Sequence, residues 1–291
     1  MPRRTFRDAR CLVTGASSGL GRSLAEHLAR AGARVILTGR SADRLDGVIA
    51  GLVAGGVDRS ALISVSADLT LAADRRRVLD LAGERLGALD LAINAAGVGA
   101  YGHFETHDES VLRRLFEVNF FALAELSRGV LPLLRLGESP ALINIGSIVA
   151  RRALPGRPEY SASKFAVAGL TEALRAEWAK YGISILLVNP GFTATSFERN
   201  LVIDNAAYKT SHRRTMTADQ VATATLRALT HGRHEVTLTR PGRILLMANR
   251  LLPRLVDWGF HRWTLHLYPD APVLAKRRGR PPVLPPTDGR G

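Results

Sequence analysis

Short apolar runs alternate with amphipathic stretches along the chain, and that alternation predicts its elements. Arg10–Thr14 (RCLVT) is apolar enough for a buried strand. Residues 20–31 follow with helix-forming residues at apolar spacing, ended by Gly32. Residues 34–38 predict a second strand, 41–55 a helix and 61–67 a third strand. Residues 72–86 predict a helix with Asp74, Arg75, Arg76 and Arg77 on a wet face. Residues 89–94 read as a fourth strand, 108–135 as one or two long helices, and Ala141–Ile145 as a fifth strand. Residues 159–181 predict a helix broken by Gly182, and 183–189 a sixth strand. Residues 217–231 form another helix with Thr217 as N-cap, and 236–239 a seventh strand.

Strands separated by helices argue right-handed βαβ units. The expected fold class is α/β, a single doubly wound parallel sheet of about seven strands with helices on both faces. No repeat or linker interrupts the chain before residue 230, so residues 1–240 read as one domain. Residues 241–268 form a basic C-terminal extension rich in Leu, Trp and Arg, helical over 243–263 with an interruption at Pro253. Residues 269–291 hold six of the fourteen prolines and the run Lys276-Arg277-Arg278, which predicts a disordered tail.

Composition narrows the setting. The 291 residues include one cysteine, Cys11, so no intrachain disulfide is available and no oxidising compartment is implied. The basic start has no apolar run of a secretory leader. No uncharged apolar stretch reaches the roughly 18 residues of a membrane span. A cytoplasmic protein is expected, with peripheral membrane contact left open. The net charge of +14 is concentrated at the ends: +3 in residues 1–10 and +7 in residues 231–291. No nucleic-acid recognition module accompanies it, so nucleic acid is not expected as a partner. A phosphate-bearing cofactor, an anionic membrane surface or solubility accounts for the charge.

The candidate chemistry follows the strand ends. Thr14-Gly15-Ala16-Ser17-Ser18-Gly19-Leu20-Gly21 makes a glycine-rich strand-to-helix turn. Backbone there can approach a diphosphate at a helix start. The second strand ends Thr38-Gly39-Arg40 with no acid to hold a ribose hydroxyl. Arg40 instead suits a 2′-phosphate, favouring NADP(H) over NAD(H). Asp68-Leu69 follow the third strand, where an adenine would rest, and Asn94-Ala95-Ala96-Gly97 follow the fourth. Tyr160 and Lys164 are one helical turn apart, so an ammonium can pull the tyrosine towards neutrality for proton transfer. Ser147 ends the fifth strand and can bind a substrate oxygen. Asn119 is an amide in an apolar helical stretch, able to hold a proton-relaying water for Lys164. Pro190-Gly191 close the sixth strand, and with Thr195 can bind a nicotinamide carboxamide. No metal site is assigned.

These residues, in order and in register, resemble the classical short-chain dehydrogenase/reductase (SDR) family over roughly residues 8–240, with thirteen positions from Ser147 to Tyr160. The resemblance implies a Rossmann-like fold and a nicotinamide-dependent oxidoreductase acting on a carbonyl or secondary alcohol. It implies Tyr160 as acid/base and Lys164 tuning it and holding the nicotinamide ribose. Ser147 would orient substrate and Asn119 support the relay. Thr14, Gly15, Ser17, Ser18, Gly19, Leu20, Gly21, Arg40, Asp68, Leu69, Asn94, Ala95, Gly97, Pro190, Gly191, Thr193 and Thr195 would serve the cofactor, with Tyr160 and Lys164. Many NADP-preferring members carry a basic residue inside the glycine turn, where this chain has Ser17 and Ser18. Thr193 stands where the family more often has an aliphatic residue.

Residues 192–216 would form a substrate lid. Their apolar content (Phe192, Phe197, Leu201, Val202, Ile203, Tyr208, Met216) suits an apolar or lipid-like ketone or aldehyde and equally suits packing on the domain. Tyr101, His103 and Phe104 would edge the same site. Residues 243–268 suit an interfacial helix on an anionic membrane, a flap over the substrate mouth or a dimer contact. The resemblance also implies a homodimer or homotetramer through helices 108–135 and 159–181. A catalytically silent NADP(H)-binding sensor or scaffold is the alternative, opposed by the intact Asn119, Ser147, Tyr160 and Lys164.

Overall fold

The computed structural model describes residues 4–191, 193–194, 200–204 and 216–267. The elements run β1 (Arg10–Thr14), α1 (Gly19–Arg30), β2 (Arg34–Gly39), α2 (Ala42–Ala54), β3 (Leu62–Ser66), α3 (Ala72–Leu86) and β4 (Leu91–Asn94). Then come β5 (Gly99–Tyr101), α4 (Glu109–Phe116), α5 (Ala122–Arg135), β6 (Ala141–Ile145), α6 (Pro158–Glu177) and β7 (Ser184–Asn189). Last are β8 (Thr193–Ala194), β9 (Leu201–Asp204), β10 (Met216–Thr217), α7 (Ala218–Thr230), β11 (Glu235–Thr237), α8 (Arg240–Leu251) and α9 (Pro253–Leu267).

Seven strands form one parallel sheet in the order β3-β2-β1-β4-β6-β7-β11. Successive residues of a strand face opposite ways, so each strand feeds two cores. Cys11 and Val13 pack with α1, α2 and α7 on one face, whereas Leu12 packs with α3 and α5 on the other. This is the Rossmann-like arrangement expected, with the strand order reversing between β1 and β4. Cys11 is buried, and burial pushes its thiol far up, so it behaves as a small apolar core residue.

The structure departs from the sequence reading in particular places. The stretch 108–135 is α4 and α5 joined by a π-helical turn, Glu117–Phe121, which contains Asn119. Arg75 does not sit wholly in water: its guanidinium turns back to donate to the Leu69 and Thr70 carbonyls, 2.8 and 3.0 Å away. Thr217 caps α7 in a reciprocal box with Gln220. The C-terminal extension breaks at Leu252, one residue before Pro253, because proline disfavours helical backbone in the residue it follows. Two small parallel pairs, β5 with β9 and β8 with β10, escaped the sequence reading. The first lays part of the segment after β7 beside Tyr101. The predicted tail 269–291 and most of the predicted lid lie outside the described residues.

Candidate active site

A cleft of about 740 Å³ opens at the carboxyl edge of the sheet, where β1 and β4 diverge. One end is built on the glycine turn. Gly15 has φ +66°, and a Cβ there would fall 2.9 Å from the Ala96 backbone. A Cβ on Gly21 would lie 2.4 Å from the Gly15 carbonyl oxygen. These glycines therefore let the turn pack against the β4 loop and let α1 pack against the turn. Ser18 is the N-cap of α1, yet its side chain makes no capping bond and the first turn holds no acid. Side chains cap α2, α4, α7 and α8, while α3 and α6 lack side-chain caps as α1 does. The start of α1 differs in that Gly19, Leu20 and Gly21 line the cleft, where its amides can face an anion.

Arg40 lines this end, and so does Arg44, one turn into α2, which the sequence reading missed. Asp68, Leu69 and Arg114 complete it. Burial pushes the Asp68 carboxyl up, but bonds from Thr70 and the charges of Arg114 and Arg40 outweigh it and hold it below the ordinary range. Ser17, Ser18, Gly19, Leu20, Ala95 and Gly97 also face the cleft. Thr14 and Asn94 stand behind its wall. The Thr14 hydroxyl accepts from the Ala95 and Ala96 amides, both at 3.0 Å. Asn94 donates to Ser127 and Asn144 at 2.9 and 2.8 Å, tying β4 to α5 and β6. Each positions the backbone that lines the site.

At the other end, α6 presents Tyr160 and Lys164, and the turn after β6 presents Ser147. The Ser147 hydroxyl faces Tyr160 across the cleft and acts on its phenol. Burial, with Tyr101 adding to it, pushes the phenol up to about 12 against the opposing pull of Ser147 and Arg157. Lys164 donates to the Ile145 carbonyl at 2.9 Å, and burial lowers it to about 8. The expected pull of Lys164 on Tyr160 is not what governs this geometry. The ammonium is 5.9 Å from the ring centre and engaged by a carbonyl, so desolvation dominates both groups.

Asn119 is fully buried, and its side chain is consumed: Val98 donates to it at 2.9 Å, and it donates to the Val98 carbonyl and Ser163 hydroxyl, each at 3.0 Å. It clamps the strand-end loop to α6. Pro190, Gly191 and Thr193 line the cleft; Thr195 lies outside the described residues. Of the three suggested edge residues, Tyr101 lines the cleft. His103 and Phe104 do not, and Phe104 is exposed. Two groups near Tyr160 went unnoticed in the sequence. The Arg157 guanidinium lies 4.0 Å from the Tyr101 ring centre, and His107 pairs with Glu159 at 2.8 Å. Arg157 is three residues before Tyr160, but only folding brings Tyr101 under it.

Comparisons with known proteins agree with this geometry. The short chain dehydrogenase family profile matches residues 9–206. Dehydrogenase/reductase SDR family member 7B of Xenopus tropicalis is 31% identical over 79% of this chain and 77% of its own length. Gluconate 5-dehydrogenase of Gluconobacter oxydans is 36% identical over 67% of this chain and 75% of its own. The crystal structure of a short chain dehydrogenase from Burkholderia cenocepacia, in complex with NADP, superposes with a TM-score of 0.75 at 28% identity, covering 88% of this chain and 99% of that one.

Proposed function

The chain belongs to the short-chain dehydrogenase family of oxidoreductases, and from that premise we propose that it reduces an apolar ketone or aldehyde with NADPH. The residues present fit a nicotinamide dinucleotide. The α1 amides lack a side-chain cap and receive phosphate, while Arg40 and Arg44 receive the additional 2′-phosphate of NADP(H). A nicotinamide dinucleotide supplies the hydride when bound.

The observation that carries the reading is the placement of Tyr160 and Ser147 together at the end of the cleft away from the Arg40 guanidinium. Tyr160, kept neutral by burial, gives its proton to the oxygen of a substrate carbonyl as the alkoxide forms. Ser147 orients that oxygen. Lys164, held by the Ile145 carbonyl, faces the cleft where it would hold the nicotinamide ribose, and Asn119 holds Val98 and Ser163 so that α6 keeps its place. Burial keeps the phenol protonated at neutral pH, the form that reduction needs, although a raised pKa also makes it a weaker acid. The apolar substrate rests on the surroundings of Tyr160: Val98, Ile148 and Val149 line the cleft and share one apolar cluster with it. The exposed Phe121 and Phe165, on the two segments expected to pair, support a homo-oligomer.

The test is fluorescence titration of wild type, Arg40→Ala and Arg44→Ala with NADPH and NADH. Each variant is expected to weaken NADPH about tenfold or more, as loss of a charge-assisted phosphate contact does, and to leave NADH nearly unchanged. Equal affinity for both cofactors in wild type would sink the NADP assignment. Carbonyl-dependent NADPH oxidation abolished in Tyr160→Phe then reads the chemistry. NADPH binding with no turnover of any ketone or aldehyde would leave a silent binding protein.

A further inference from the structure

Six of the thirteen exposed large apolar residues among the described residues lie on α8, α9 and the break between them. On α8, Ile244, Met247 and Leu251 fall at i, i+3 and i+7, one face of a helix, and Ile244 and Leu251 are each 69% exposed. Leu252 is exposed at the break. On α9, Leu255 and Trp258 are exposed on one face, Trp258 at 57%. Arginines are interleaved with them: Arg243, Arg250, Arg254 and Arg262 are exposed, and Arg262 lies 5.4 Å from the Trp258 ring centre.

The two helices are anchored rather than dangling. A Cβ on Gly242 would lie 2.9 Å from Ile148, and one on Gly191 would lie 2.6 Å from Thr239. Arg152 donates to Asn249 at 3.0 Å and to Asp257 at 2.6 Å, and its guanidinium lies 5.0 Å from the Phe260 ring centre. Ile148 and Gly191 line the cleft. The exposed face is therefore carried by a rigid element rooted beside the site.

We infer that the outer face of α8 and α9 docks on an anionic lipid bilayer surface, with the apolar side chains entering the interface and the arginines meeting lipid headgroups. Charge decides between occupants. A second copy applied to the same face about a two-fold axis would bring its arginines against these arginines. A protein partner would have to bring acidic groups to meet Arg243, Arg250, Arg254 and Arg262, whereas an anionic bilayer supplies them at every point of its surface. The segment that follows, 268–291, carries five basic residues against two acids and is repelled by the same face. Anionic headgroups complement both the arginines and the apolar residues between them. No described helix is long and apolar enough to cross the membrane, so the contact is peripheral. Docking there sets the cleft beside the bilayer, which deepens the proposed use of an apolar substrate and rests on that reading only for the substrate.

The experiment is cosedimentation of the full chain with vesicles of phosphatidylcholine alone and of phosphatidylcholine with phosphatidylglycerol. Wild type is compared with Leu251→Gln/Trp258→Gln, whose substitutions are at exposed positions outside the site. Wild type is expected to bind the anionic vesicles, less so as salt rises, and the double variant at least about tenfold more weakly. The variant should keep its melting temperature and its NADPH oxidation with a water-soluble carbonyl. Absence of binding at about 0.1 M salt overturns the inference. So does equal binding by the variant, which would place the contact on the basic residues of 268–291. A double variant that turns a dimer into a monomer in sedimentation equilibrium, with no vesicle binding by wild type, would assign the face to a second copy. Vesicle binding is read without turnover, so failure of the NADPH reading leaves this result standing.

Discussion

His107 Nδ1 lies 2.8 Å from Glu159 Oε1, and the two side chains are only 1% and 2% exposed, one residue before Tyr160. Glu159 is in the first turn of α6, where the helix dipole favours a carboxylate, but its Oε2 has no partner among the described residues. His107 is thus the hydrogen-bonding support of a carboxyl that burial would otherwise penalise. His107→Ala is expected to cost about 1–3 kcal/mol, the range for leaving a buried hydrogen-bonding group unsatisfied. That corresponds to roughly 2–12 °C in Tm. Thermal denaturation followed by circular dichroism checks it; a melt within a degree of wild type would show that the pair does not hold the start of α6.

Lys164 opposes folding while serving the site. Its pKa falls from 10.5 in the unfolded chain to about 8 in the fold because it is buried. Between those values the unfolded chain holds a proton that the folded chain lacks, so stability rises with pH across about 8 to 10.5. Below pH 8 the buried cation costs on the order of 3 kcal/mol. Lys164→Met is expected to gain several degrees of Tm relative to wild type at pH 7 and to lose most of that advantage by pH 10. Loss of the bond to the Ile145 carbonyl affects both pH values alike, so the change in the difference carries the test. A Tm difference that stays constant between pH 7 and pH 10 would contradict it.

Gly21→Ala should damage the cofactor end without touching the Tyr160 end. Its Cβ would sit 2.4 Å from the Gly15 carbonyl oxygen and 2.7 Å from that of Thr14, both backbone atoms that yield only if α1 moves off the turn. The expected cost is about 1–3 kcal/mol of stability, as for overpacking, with at least about tenfold weaker NADPH binding. Calorimetry and fluorescence titration on the same preparation read both. Unchanged affinity would mean that the turn has slack.

Much of the architecture was legible because it is local. Buried parallel strands appear as short apolar runs, and Ala141–Ile145 and the helix at 72–86 came out with the observed ends. Thr217 was legible as a cap because its partner is three residues away. Tyr160 and Lys164 could be paired because helical spacing alone brings them to one face.

What the sequence by itself determined, then, is the order of strands and helices and the chemical types gathered at the strand ends. Those follow from periodicity, turn chemistry and spacing within a few residues. Only the tertiary structure decided what those side chains touch. Asn119 spends its amide on Val98 and Ser163, Thr14 and Asn94 brace the wall, and Arg44 stands beside the cleft with Arg40. Tyr101 meets Arg157, and His107 meets Glu159, across 56 and 52 residues of chain. Burial is likewise a property of the packed whole, so the displacement of Tyr160 upward and Lys164 downward had no local signal. Contacts between distant residues and the loss of water around them arise when the layers close, and no spacing along the chain encodes them.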